Sequence, residues 1–70
     1  MTNREQNALA LKDCTGLATY GGGEPMAVIR AGEGDYRDPR GLKVRPPNVY
    51  VPATLEEILD AYDSQGLSVL

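Results

Sequence analysis

The chain has no tryptophan, phenylalanine or histidine and a single cysteine, Cys14. Without a second thiol no disulfide can close within it, and without histidine a mixed Cys/His zinc site cannot be assembled. The Cys-His and Ser-His arrangements of nucleophilic catalysis are excluded in the same way, although Cys14, Ser64 and Ser68 are present. Lys12 stands two residues from Cys14, a spacing that turns the two side chains to different sides of a helix. Cys14 therefore reads as a buried or incidental thiol. No catalytic residue and no enzyme activity are expected.

Tyrosine is the only aromatic type among the 70 residues, so rigid core anchors are few. A chain of this length buries only about 60% of the surface its unfolded form exposes. A core of Leu, Val, Ile and Ala at that size supplies about 3–5 kcal/mol. Self-association or a larger protein partner is expected to complete the structure. Long apolar runs are also missing. Nothing approaches the roughly 18 consecutive apolar residues of a membrane span, and "MTNREQNALALKDC" carries early charges and no signal-peptide core. The expectation is a chain made and kept in the cytoplasm, with virion association as an extension and no membrane contact.

What is present is organised in three parts. Thr2 followed by Glu5 has capping-box spacing, and a helix is expected over residues 3–13. Its apolar stripe is Ala8, Leu9, Leu11 and Cys14, with Gly16 as the stop. The stretch from Tyr20 to Pro47 concentrates glycine, proline and basic residues. It holds strand candidates at "MAVIRA" (Met26 to Ala31) and "GLKVR" (Gly41 to Arg45); "NVYV" (Asn48 to Val51) is a third, bracketed by prolines and so an edge strand or extended arm. In "PATLEEILDAYDSQGL", Thr54 and Glu57 form a second capping box, Leu55, Ile58, Leu59 and Tyr62 make an apolar stripe, and Gly66 is a left-handed stop. A helix is expected over 54–65, with "GLSVL" as a short strand. The fold class is α+β: N-terminal helix, a two- to three-stranded antiparallel sheet or ribbon with an extended arm across 20–53, and a capped C-terminal helix, in one small domain.

The glycine clusters do not make a phosphate loop. "GGGEP" lacks the Gly-Lys-Ser/Thr ending of a Walker loop, and in "GEGDYR" the position needing a third glycine is Arg37. Glu33, Asp35 and Asp38 are clustered carboxylates, but the closing position of a calcium loop is Val44 and Arg37 and Arg40 are placed to pair them. No metal site is expected.

Charge is segregated. From Arg30 to Arg45 there are five basic and three acidic residues, and from Pro46 to Leu70 four acidic and none basic. The basic stretch 30–45, with Tyr36 inside it, could neutralise phosphates and stack bases. A net charge of −3 disfavours that reading. Arg and Tyr are also preferred anchors of protein interfaces. The favoured expectation is a non-enzymatic accessory protein that docks on a larger assembly, such as a small virion component or a phage-type inhibitor of a host machine. Its partner-binding residues are Tyr36, Arg37, Arg40, Lys43, Val49 and Tyr50. The acidic helix face Glu56, Asp60 and Asp63 is the alternative surface, and a small nucleic-acid-associated regulator is the alternative function.

The segment "YVPATLEEILDAYDSQGLSVL" is similar to the opening of the FAD-binding domain of molybdenum hydroxylases, where a proline and a Ser/Thr-Leu-Glu-Glu helix precede a short strand. The likeness covers about the last third of the chain and implies a capped helix leading into a strand. The glycine loop that holds the flavin phosphate in that family is not among these residues, so no flavin or other cofactor is expected.

Overall fold

A computed structural model describes residues 2–69. Two helices, α1 (Asn3–Leu11) and α2 (Leu55–Gln65), flank five strands: β1 (Gly16–Thr19), β2 (Met26–Gly32), β3 (Asp35–Arg37), β4 (Lys43–Val44) and β5 (Val49–Pro52). The strands form one antiparallel sheet in the order β4-β3-β2-β1-β5. The fold is α+β, and the sheet is larger than the two or three strands expected. The glycine- and proline-rich middle contributes β2, β3 and β4 to it.

Both capping boxes form. The Thr2 and Thr54 hydroxyls accept from the amides of Glu5 and Glu57, and each glutamate accepts in return from its cap residue's amide. At the far end of α2, Gly66 adopts φ 66° and its N–H reaches back to the carbonyls of Asp63 and Tyr62. This is the left-handed stop the sequence anticipates.

The end of α1 differs from expectation. The helix stops at Leu11, and Gly16 begins β1 instead of terminating the helix. Thr15 already donates its N–H to Val28 at 2.9 Å, so the chain has entered the sheet by then. Gly16 is required by close approach: a Cβ there would lie 2.4 Å from the Val51 carbonyl oxygen and 2.8 Å from the Tyr50 ring.

Strand alternation and register sort the side chains. Leu17 lies opposite Ala27 and Val51, and Ile29 opposite Arg37, which puts these residues on the helix-covered face. There Leu11, Cys14, Ala27, Ile58, Leu59 and Tyr62 form the buried cluster, with Leu17, Ile29, Leu55 and Leu67 around it. The α2 stripe is the one the sequence shows. Of the expected α1 stripe, Leu11 and Cys14 are in the cluster and Ala8 packs against it, but Leu9 is 62% exposed, and Asn7, outside the stripe, is fully buried. Asn7 donates to the Leu67 carbonyl at 3.3 Å and accepts from the Val69 N–H at 3.2 Å. Its amide thus does for the tail what a neighbouring strand would do. Leu67–Val69 is accordingly not a strand, and Leu70, the last residue of the expected one, lies outside the described residues.

Candidate functional site

The second face of the sheet carries no helix. Register places Ala18 opposite Met26 and Tyr50, Gly16 opposite Val28, and Arg30 opposite Tyr36, which in turn faces Val44. In a flat sheet β3 and β5, three strand spacings apart, would be about 14 Å from each other. Yet the Tyr36 and Tyr50 rings meet edge to face with centroids 5.4 Å apart. The sheet is therefore curled, with this face on the inside. Gly16, Ala18 and Val28 are buried on it.

Arg30 lies over both rings, its guanidinium carbon 6.0 Å from the Tyr36 centroid and 5.7 Å from that of Tyr50. The Thr15 hydroxyl ties the group together: it accepts the Arg30 N–H at 2.8 Å and shares a 2.8 Å hydrogen bond with the Tyr50 hydroxyl. At the other end of this region Arg45 sits 5.0 Å from the Tyr20 ring centroid, and the Tyr20 hydroxyl donates to the Arg45 carbonyl at 2.7 Å. Cation–π contacts use the faces of a guanidinium and leave its N–H edges for a further acceptor. Among the described residues Arg30, Lys43 and Arg45 make no ion pair, whereas Arg4, Arg37 and Arg40 do.

The six residues expected to form one partner-binding surface are divided by the fold. Tyr36 and Tyr50 come together on the curled face. Arg37 and Lys43 lie opposite each other with their side chains on the other face. Arg37 is held within its own turn, 3.4 Å from the Asp35 carboxylate and 3.2 Å from the Gly41 carbonyl oxygen. Arg40 pairs with Asp38 at 3.6 Å. Val49 is exposed on β5 at the sheet edge, as the prolines around it indicate. Arg30, the cation that joins the tyrosines, had no place in the expected six because only the β2–β3 and β1–β5 pairings bring it there.

The alternative acidic face is also altered by the fold. Arg4 of α1 reaches Asp60 at 3.0 Å and pairs with Asp63, and these bonds, Asp63 first, raise its already high pKa. Glu56 remains exposed beside them. Cys14 is buried, and burial, then the nearby Asp13 and Asp38 charges, push its thiol up to about 11. That is the opposite of activation.

No protein-family model, curated protein or solved structure matches the chain. Within the last third the expected capped helix forms, whereas the tail is held by Asn7 in place of the expected strand.

Proposed function

We propose that the chain is an accessory protein that docks on a larger protein through the Tyr36–Tyr50–Arg30 cluster, with Arg30 taking a carboxylate of the partner. The observation that carries this reading is the placement of Arg30 across two tyrosine rings with no ion pair to a carboxylate among the described residues. Tyrosine and arginine supply most of the energy of many interfaces, and a fixed guanidinium favours bidentate binding of a carboxylate. The test compares affinity capture by the wild type, Arg30→Ala and Lys12→Ala, the last being an exposed cation on the helix side. A protein held by the wild type and Lys12→Ala, and depleted about tenfold or more with Arg30→Ala, supports the reading. Equal retention by all three contradicts it.

The second reading, a small nucleic-acid-associated regulator, draws on the same cluster, since tyrosine and arginine also stack on bases. The net charge of −3 weighs against it. Titration with single-stranded DNA and RNA at two salt concentrations separates the two: binding that weakens steeply with salt belongs to the nucleic-acid reading.

A further inference from the structure

Away from the tyrosine cluster, a cleft of about 830 Å³ opens between the helices and the turns at the ends of β1 and β3. Its origin is a strand that leaves early. Continuing the β2–β3 register beyond Ile29 opposite Arg37 would set residue 39 opposite Ala27. That residue is Pro39, and the chain has already turned away, with the Asp38 carboxylate accepting from the amides of Arg40 and Leu42 at 2.9 Å each. Ala27 pairs with Leu17 of β1 but has no partner on the β3 side, and there it donates its N–H to the Tyr62 hydroxyl at 2.9 Å. The space vacated by β3 is walled by Met26, Ala27, Tyr62, Leu67 and Val69.

Tyr62 is the informative wall residue. It is 5% exposed, and its oxygen is occupied as an acceptor by Ala27. A phenol also donates, and no acceptor among the described residues takes that proton. Burial raises the phenol pKa, so the proton stays in place at neutral pH. At the rim stand Glu24, Asp38 and Arg40, two carboxylates against one guanidinium, which disfavours an anionic guest. Volume, apolar walls and one fixed polar group match the general form of a small-molecule site.

We propose that this cleft binds a small, uncharged, mostly apolar molecule bearing a carbonyl oxygen, which accepts the hydrogen bond that Tyr62 has left to give. The cleft meets the curled face at Met26 and Tyr20, but it includes none of Arg30, Tyr36 and Tyr50, so its test is independent of the docking proposal.

The experiment uses the purified full chain and the neutral ketone dye 6-propionyl-2-dimethylaminonaphthalene, whose emission shifts to the blue on burial. The expected result is saturable binding at one site. The ketone-free analogue 6-propyl-2-dimethylaminonaphthalene, with a methylene in place of the carbonyl, and Tyr62→Phe should each weaken binding by about 3- to 10-fold, the loss of one hydrogen bond. Met26→Trp, a change at a wall residue that is exposed, should block the mouth and abolish binding while the thermal transition is kept. If Tyr62→Phe does not fold, the ketone and ketone-free dyes on the wild type still read the hydrogen bond. Failure of the dye to bind, equal affinity for both dyes, undiminished binding by Met26→Trp, or tighter binding of an anionic naphthalene sulfonate would overturn the proposal.

Discussion

The two faces of the sheet solve the same packing problem with different residues. On the helix side, leucine, isoleucine and one tyrosine close the core, and two capped helices hold them there. On the curled side no helix is present, and the cover consists of two tyrosine rings and the arginine lying over them. An aliphatic core finishes in hydrocarbon and presents nothing to a partner. A cover of tyrosine and arginine buries apolar area beneath and leaves polar edges outward. The docking role proposed for the chain rests on that difference.

The largest effect expected from breaking this contrast is on the helix side. Ile58→Ala removes a fully buried side chain and should cost about 2–5 kcal/mol, comparable to the whole stability of a chain this small; urea denaturation followed by far-ultraviolet circular dichroism reads it. Gly16→Ala acts where the faces meet. Its new methyl would press on the Val51 carbonyl and the Tyr50 ring, an expected loss of about 1–3 kcal/mol. Amide exchange should then accelerate first at Val49, Tyr50 and Val51, since β5 is the edge strand that must yield.

Asn7→Ala comes next. It strands the Leu67 carbonyl and the Val69 N–H and should cost about 1–3 kcal/mol, with the Val69 amide losing its protection while the sheet keeps its own. Alkaline pH should also destabilise the helix side selectively. Cys14 and Tyr62 both have raised pKa values in the fold, Cys14 from 9.0 to about 11, with burial the leading cause for each. Each holds its proton more tightly folded than unfolded, so their contribution is complete below the unfolded pKa and fades as pH rises through the folded one. The urea midpoint should fall from about pH 9 upward, and Cys14→Ala should flatten part of that fall.

The smallest effect on stability is expected from Arg30→Ala. Removing an exposed cation–π contact costs about 0.5–1 kcal/mol, a small shift in melting temperature. Partner capture should change far more than the melting curve does, which is what separates a docking residue from a structural one.

Local signals in the sequence determine the helix side well. Capping boxes, the α2 stripe and the Gly66 stop depend on residues within a few positions of one another, and all of them form. Strand β2 is visible for the same reason. Strand β1 is hidden because one of its faces, Gly16 and Ala18, is kept small to fit beneath Tyr50, so no large apolar alternation appears. Asn7 looks like a solvent-facing residue until the tail arrives from about 60 positions away to use its amide. The Tyr36–Tyr50–Arg30 cluster likewise exists only through strand pairing and curl. Sequence reasoning finds tyrosines and basic residues in the middle, but Arg37 and Arg40 lie near Tyr36 in sequence and are spent on Asp35 and Asp38.

The most direct test of this contrast is a two-dimensional nuclear Overhauser spectrum of the isolated protein, resolved for the tyrosine rings. Cross-peaks between the Tyr36 and Tyr50 ring protons, with the Arg30 side-chain methylenes shifted upfield by ring current, are the expected result. Independent, freely mobile rings with no cross-peak would mean that β3 and β5 do not converge, and the tyrosine-covered face as described here would not exist.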